Sequence, residues 1–297
     1  MIINQANLTT LYTGFRTIFN RALGAADSMW PSLATQVPSS TREEKYGWLG
    51  KIPNIREWVG DRVVHGLMAH DYAIKNLPYE LTIAVDRDDI EDDQFGVYNP
   101  MFEELGESVG VFPDEKVFQL LKDGFSTPGY DGQFFFDTDH PVLDENGDTI
   151  SVANTDGGAG AEWFLADLSR AVKPIIVQNR RPFNLVALDR PNDPNVFFKK
   201  EFVYGVDGRK GFGYGLWQPI WGSKQTLDKT NYGTAREALL AMKGDYGRKL
   251  GFRRFTLICG PSNEKAALEI LNAERDSAGA TNVYKDTAQL MVTPYLD

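Results

Sequence analysis

Apolar residues recur with a helical period in two long stretches of the chain. In residues 5–23 one stripe is formed by Leu8, Leu11, Tyr12, Phe15, Ile18, Phe19 and Leu23. The pattern predicts an amphipathic helix, capped by Asn7 or Thr9 and ended by Gly24. A helix this apolar must cover a surface, which belongs either to its own domain or to a neighbouring chain.

Residues 98–123 carry the strongest helical pattern in the sequence. Asn99 is a suitable N-cap, Pro100 suits the first helical position, and Gly124 is expected to end the helix. We expect Pro113 to kink this helix midway or to divide it into two segments.

The remaining patterns predict short strands, loops and two further helices. Residues 24–45 have no periodicity and are rich in Ser, Thr, Pro and Gln, which predicts an extended arm. Between residues 46 and 84, the strand-like stretches 62–65 and 81–85 predict the two limbs of a projecting β loop. Further predictions are a hairpin within 125–160, strands within 163–171, 173–178, 196–204, 255–259 and 288–293, a loop at 189–195, and helices at 232–244 and 262–272. The predicted strands and helices do not alternate regularly as in βαβ units, so the sequence predicts an α+β fold.

Composition narrows the class of protein. The 297 residues carry a net charge of −10 with 42% apolar and 24% charged residues. An acidic chain is a poor nucleic-acid binder, because affinity for phosphate comes from Lys and Arg. The single cysteine, Cys259, excludes an intrachain disulfide and is predicted to lie in a buried strand. The sequence has no apolar stretch of membrane-spanning length and no signal peptide at its first residues, so we expect a cytoplasmic protein.

Three clusters of residues are candidates for catalytic or ligand-binding chemistry. Asp137, Asp139 and His140 could bind a divalent metal in a hydrolase, although a turn in which the carboxylates accept local amide protons explains the same residues. The acidic run 87–93 lacks the spacing of a calcium loop and indicates a solvated turn or an acidic contact face. The glycine-rich run 205–215 lacks both the phosphate-loop and the dinucleotide fingerprint and predicts an adaptable loop. A binding module for carbohydrate or peptide remains a third class, supported by the 12% aromatic content.

A series of motifs, in a fixed order, resembles a known family over residues 5–296. The motifs are YGWLGKIP at 46–53, EWVGDR at 57–62, RDDIEDD at 87–93, LLKDGF at 120–125, YDGQ at 130–133, FFD at 135–137, DHPV at 139–142, YGVD at 204–207 and VTPYL at 292–296. Together they resemble the major head subunits of Mu-type bacteriophages.

The resemblance implies an α+β fold of the Hong Kong 97 capsid type. Its expected parts are an N-terminal arm at 1–45, an extended loop at 46–84, a peripheral domain with a spine helix at 85–135, and an axial domain with returning peripheral strands at 136–297. It also implies hexamers and pentamers that close into an icosahedral shell around double-stranded DNA, without sequence-specific DNA binding. Scaffold, maturation protease, decoration and portal proteins are the implied partners, no catalytic, metal or cofactor site is implied, and the location is the virion, assembled in the bacterial cytoplasm.

Under this interpretation the apolar first helix and the loop aromatics become candidates for contacts between subunits. The candidates are Leu11, Phe15, Phe19, Trp48, Lys51, Trp58 and Arg62. Exposed aromatic residues on a slender loop need a partner surface, and we expect the same of Tyr72. If the first helix also packs on a neighbouring subunit, removal of residues 1–24 should leave a folded subunit.

Overall fold

The structure is a computed structural model that describes residues 2–49, 72–92, 94–275 and 279–297. Within these ranges the helices are α1 (Gln5–Ala25), α2 (Trp30–Leu33), α3 (Arg87–Glu91), α4 (Asn99–Asp123), α5 (Pro194–Lys199), α6 (Lys229–Ala241) and α7 (Pro261–Leu271). Short 3₁₀ segments lie at Gln94–Tyr98, Asp245–Gly247 and Pro294–Leu296.

The strands of the same ranges form two main sheets and three short ladders. They are β1 (Ala34–Pro38), β2 (Glu43–Lys45), β3 (Ala73–Lys75), β4 (Leu77–Asp86), β5 (His140–Leu143), β6 (Thr149–Val152), β7 (Thr155–Gly158), β8 (Trp163–Asp167), β9 (Ile175–Leu188), β10 (Glu201–Tyr214), β11 (Ile220–Lys224), β12 (Lys243–Gly244), β13 (Arg248–Lys249), β14 (Phe255–Cys259) and β15 (Ala288–Val292). The short ladders pair β2 with β3, β5 with β6, and β12 with β13.

The first main sheet has the order β1-β9-β10-β4 and carries α1 and α4 on one face. Strand β1 is parallel to β9, whereas β10 is antiparallel to both β9 and β4. Alternate residues of β10, such as Phe202 and Tyr204, point into the core beneath the helices, as the two-residue period of a strand requires.

The second main sheet has the order β15-β14-β8-β11-β7. All five residues of β8 and of β14 are buried, which is why both appear in the sequence as short continuous apolar runs. Cys259 ends β14 as a buried free thiol, as the sequence predicted, and burial raises its pKa to about 11. This sheet shares one core with the C-terminal half of α4 and the first residues of β9.

Helix α4 is one continuous helix, so of the two expected effects of Pro113 the division into two segments does not occur. Its 25 residues run from Asn99 to Asp123, about 37 Å at 1.5 Å per residue, with Pro113 buried inside. A proline removes one backbone hydrogen bond from a helix. Tertiary packing stabilises the helix across Pro113, since α4 contacts α1, α2 and the C-terminal 3₁₀ segment.

Helices α1 and α4 approach closely because two glycines of α4 face α1. A Cβ on Gly106 would lie 2.5 Å from the Phe19 carbonyl oxygen and 2.8 Å from the Cβ of Ala22. A Cβ on Gly110 would lie 2.3 Å from the Cβ of Ala26. The four-residue spacing puts both glycines on one face of α4 and allows the two helix backbones to meet.

The arm and the projecting loop differ from the sequence expectations. Within 24–45, α2 and β1 are ordered parts of the fold, with Leu33 and Ala34 buried in the core. Residues 81–85 belong to β4, which pairs with Glu201–Lys210 of β10 as the edge of the four-stranded sheet. The other predicted limb, 62–65, lies outside the described residues.

Two further elements were predicted wrongly. Val196 to Lys199 lie in α5 and not in a strand. The glycine-rich run, predicted as a loop, is the second half of β10, and β9 continues to Leu188 beside it. Glycine carries no side chain that could show a period, so the strand is invisible to pattern analysis there.

Candidate assembly surfaces

Three of the candidate contact residues lie in the subunit's own core. Leu11, Phe15 and Phe19 are 8%, 1% and 0% exposed. The Phe15 ring stacks on Phe102 of α4 with centroids 3.9 Å apart, and Tyr204 of β10 meets Phe15 edge-on at 5.5 Å. The expectation that these residues contact a neighbouring subunit is therefore wrong, because α4 and the sheet already cover the apolar stripe of α1.

Trp48 is the one candidate in the described ranges that remains available at the surface. It is 40% exposed, and its ring meets that of the buried Tyr46 at 6.0 Å. Lys51, Trp58 and Arg62 lie outside the described residues, so their predicted role stays a prediction.

The base of the 46–84 segment is a short ladder in which Glu44 organises the preceding turn. Its carboxylate accepts hydrogen bonds from the Ser39 hydroxyl at 2.8 Å and from the amides of Ser40 at 3.0 Å and Thr41 at 3.2 Å. These bonds, that of Ser39 first, favour the ionised form and lower the pKa of Glu44 to about 2. Sequence reasoning missed Glu44, which looks like an ordinary surface charge.

Asn76 completes the same network from the other side of the ladder. It is buried, and its side-chain amide donates to the Ser39 hydroxyl at 2.7 Å and to the Thr41 carbonyl oxygen at 3.0 Å. Its backbone amide donates to the Arg42 carbonyl oxygen at 2.9 Å. The two chain segments that flank residues 46–71 are thereby held together.

Two tyrosines fix this base to the four-stranded sheet. The Gln178 side-chain amide donates to the Tyr46 hydroxyl at 2.8 Å, and the Tyr214 backbone amide donates to the Tyr72 hydroxyl at 2.7 Å. Burial raises the pKa of Tyr72 to about 12. The expectation that Tyr72 packs on another subunit is therefore wrong. The sequence signal for this contact was the alternation of Gly211 and Gly213. Because these residues have no side chains, they leave space on β10 that residues of the loop base fill.

His140 is a structural residue of the core. It is 0% exposed and stacks on Trp217 with centroids 3.9 Å apart. Its Nδ1 lies 2.7 Å from the Asp131 carboxylate and its Nε2 lies 3.1 Å from the Asn154 side-chain oxygen. The ring thus has a partner on each nitrogen and none left for a ligand.

Asp137 of the candidate metal cluster is used in a local turn. The Asp137 carboxylate accepts from the amides of Phe134 at 3.2 Å and Thr138 at 2.7 Å, which is the turn geometry considered from the sequence. Partial desolvation and then the neighbouring charge of Asp137 raise the pKa of Asp139. Among the described residues no group of three or more His, Cys, Asp or Glu side chains could hold a metal ion.

A long helix packed on a four-stranded sheet, a second five-stranded sheet, and a loop base fixed beside the first sheet together define a capsid-type shell subunit. A subunit of the procapsid of bacteriophage JBD30 superimposes with a TM-score of 0.90 at 39% identity, covering 99% of this chain and 100% of that one. The bacteriophage JBD30 capsid gives a TM-score of 0.77 at 31% identity over the full length of both chains. The fold is therefore the α+β Hong Kong 97 type that the sequence predicted.

The sequence comparisons define the family. The profile described as Mu-like prophage major head subunit gpT matches residues 8–296. The major capsid protein of Escherichia phage Mu is 42% identical over 305 aligned residues, covering 100% of both chains. The Mu-like prophage FluMu major head subunit of Haemophilus influenzae is 40% identical, covering 98% of this chain and 100% of the relative. This chain belongs to the Mu-like major head subunit family.

Proposed function

We propose that this chain is the major head subunit of a Mu-like tailed phage or prophage and that it assembles as hexamers and pentamers into an icosahedral shell around double-stranded DNA. The observation that carries the proposal is the likeness to the JBD30 procapsid subunit over 99% of this chain. It includes both sheets and the long helix, and it is accompanied by 42% identity to the Mu major capsid protein.

The described contacts suit a subunit that holds its shape while neighbours bind it. Close packing of α1 on α4 and the shared core of the five-stranded sheet make a rigid body. At one edge of that body, Glu44 and Asn76 fix the base of residues 46–71, with Trp48 exposed beside it. Fixing the two ends of a segment beforehand lowers the entropy that they lose on association.

The partners follow from the same proposal. Copies of the chain itself are the main partner, with a scaffold and a maturation protease during assembly in the bacterial cytoplasm, and a portal in the finished virion. Decoration proteins are included because one similar structure is a JBD30 capsid decorated with minor capsid protein trimers. The net charge of −10 suits a container that encloses DNA without binding a particular sequence.

A hydrolase that uses Asp137, Asp139 and His140 is not supported by the geometry, since His140 is enclosed by Asp131, Asn154 and Trp217. We therefore assign the chain a structural role without catalysis. The helices of the described ranges also include none with the length and apolarity needed to cross a bilayer.

Expression in bacteria, alone and with the scaffold and protease of the same phage, tests the proposal. Gradient sedimentation should give a fast particle fraction, and negative-stain microscopy should show closed shells of uniform diameter. A folded protein that stays monomeric under both conditions would contradict the proposed function.

A further inference from the structure

His140 is fully buried, and its neighbours determine which of its ring nitrogens carry a proton. Its Nε2 atom lies 3.1 Å from the Asn154 side-chain oxygen. That oxygen also accepts a hydrogen bond from the Asp137 backbone amide at 2.9 Å, and the Asn154 side-chain nitrogen donates to the Phe135 carbonyl oxygen at 2.9 Å. Turning the Asn154 amide over would break both bonds, so its oxygen must face the ring. Nε2 can then form a hydrogen bond only as a donor, which requires a proton on that nitrogen.

The second ring nitrogen also faces an acceptor. Nδ1 lies 2.7 Å from one oxygen of the Asp131 carboxylate, whose side chain is 5% exposed, and the other oxygen accepts from the Gln133 backbone amide at 3.3 Å. A proton must lie between Nδ1 and the carboxylate, because two unprotonated atoms would repel each other at this distance. An imidazole is a stronger base than a carboxylate, so the proton belongs to the ring.

The indole of Trp217 suits a positively charged ring at this position. It stacks on the His140 imidazole with centroids 3.9 Å apart and an interplanar angle of 11°. The face of an indole is electron-rich, and a cation placed over it is stabilised. A histidine with protons on both nitrogens, an imidazolium, is such a cation.

The tyrosine beside the pair takes no part in its charge balance. The Tyr130 hydroxyl accepts a hydrogen bond from the Gln218 side-chain amide at 3.0 Å. Burial, followed by the charge of Asp131, raises the pKa of Tyr130 above its ordinary value, so its hydroxyl stays neutral.

Three further carboxylates lie near the pair, and each is engaged elsewhere or exposed. Asp137 accepts hydrogen bonds from local amides, and Asp245 accepts one from the Leu143 amide at 3.1 Å. Asp139 is exposed, so water screens its charge. Asp131 is therefore the carboxylate that balances the charge of the buried ring.

We infer that His140 carries a proton on both ring nitrogens and forms a buried ion pair with Asp131, and that this pair is a pH-sensitive link between residues 131–140 and the five-stranded sheet. The link reaches the sheet through Asn154, which directly precedes β7 and whose carbonyl oxygen accepts from the Gly222 amide of β11 at 3.0 Å. It is a property of each subunit and does not depend on the formation of a shell.

The sign of the pH dependence follows from the number of protons bound. Above about pH 6.5, where an exposed histidine is largely neutral, the folded chain holds one proton more than the unfolded chain. Stability should therefore fall as the pH rises and removes that proton. Its loss leaves one ring nitrogen facing an acceptor with no proton between them, which costs the hydrogen bond to Asp131 or the one to Asn154.

Nuclear magnetic resonance of the isolated subunit, with ¹⁵N-labelled histidine, tests the protonation state. The chain has three histidines, so a His65→Gln and His70→Gln double variant leaves His140 as the single labelled residue. Near neutral pH, both ring nitrogens should show a bonded proton in the proton–nitrogen correlation spectrum. A spectrum with one ring N–H, on either nitrogen, would overturn the inference.

Asp131→Asn in the same background removes the opposite charge at nearly constant size. Its ring should keep one proton, because an uncompensated charge in the core is unfavourable and asparagine can donate to Nδ1. The control Asp148→Asn removes an exposed carboxylate between β5 and β6 and should keep both ring protons. Retention of both protons in Asp131→Asn would show that Asp131 is not the balancing charge and would contradict the ion pair.

Thermal unfolding tests the pH-sensitive link. Between about pH 7 and pH 10, the melting temperature of the parent should fall more steeply than that of Asp131→Asn. Parallel profiles of the two proteins would show that the pair does not respond to pH in this range and would refute the link. If Asp131→Asn is too unstable to purify, the spectrum of the double variant alone decides whether the buried ring is an imidazolium.

Discussion

Replacing Phe15 by alanine tests whether the first helix belongs to the core of its own subunit. The side chain is 1% exposed, stacks on Phe102 at 3.9 Å and contacts Tyr204 edge-on. Removal of a phenylalanine from such a site costs about 3–5 kcal/mol, since it loses both the buried area and the packing around it. Against a total stability of about 5–15 kcal/mol, this change should lower the melting temperature of the subunit strongly.

The assay is urea unfolding of the isolated, unassembled subunit, followed by circular dichroism. Asn20→Ala is the matched control, because Asn20 is exposed on the same helix, and it should change the free energy of unfolding by no more than about 0.5 kcal/mol. If Phe15→Ala unfolds at the wild-type urea concentration and fails only in assembly, the helix contacts a neighbour as the sequence suggested, and the structural assignment is refuted.

Removal of the first helix should unfold the subunit, contrary to the expectation from the sequence. Leu8, Leu11, Phe15 and Phe19 are all buried, and at about 1.5–3 kcal/mol each they contribute roughly 6–12 kcal/mol. Deletion of residues 1–24 should therefore give an insoluble or unfolded subunit. A truncated protein with a cooperative, near-normal melting transition would contradict this.

Three further predictions follow from the described contacts. Gly110→Ala should destabilise the subunit by about 1–3 kcal/mol in urea unfolding, because its Cβ would lie 2.3 Å from that of Ala26, whereas Gly14→Ala, with nothing within 4 Å, should be neutral or stabilising. The pKa of Glu44 is lowered from 4.5 to about 2, so its stabilising effect is complete above pH 4.5 and is lost as the pH falls through about 2. The difference in melting temperature between the wild type and Glu44→Gln should therefore disappear over that pH range. A difference that stays constant would refute the hydrogen-bond network around Glu44. Trp48→Ala should change subunit stability by less than about 1.5 kcal/mol while reducing shell yield in sedimentation, and a stability loss with normal assembly would place Trp48 in the core.

The sequence alone determined the elements whose signals are local. Helix α4 follows from its apolar period, the proline near its start and Gly124 at its end, and the structure gives Asn99–Asp123 against the predicted 98–123. Strand β14 was predicted at its observed residues because a short apolar run bounded by charged residues and glycine needs burial on both faces. The order of the motifs along the chain likewise indicated the family, because that order can be read from the sequence without knowing the tertiary structure.

Only the tertiary structure decided which surfaces those elements meet. An apolar stripe shows that α1 must be covered, but the same stripe would suit a neighbour's surface or the chain's own α4. The choice depends on Gly106 and Gly110, about ninety residues away, which let the two helices approach. The sequence likewise predicted a contact between Tyr72 and another subunit, because a sequence pattern does not show which surface covers an aromatic ring. In the structure the Tyr72 hydroxyl accepts a hydrogen bond from the Tyr214 backbone amide of the same chain.

The second half of β10 could not be predicted, because its strand character depends on other segments. Gly208, Gly211 and Gly213 have no side chains from which a period could be read, and the space above them is filled by Phe183, by Gln178 and Lys75, and by Ile74. Helix α5 is equally a product of context, since Asn195 closes it across two strand ends. Local sequence patterns specify which residues must be buried or paired, and only the folded chain specifies which residues bury or pair with them.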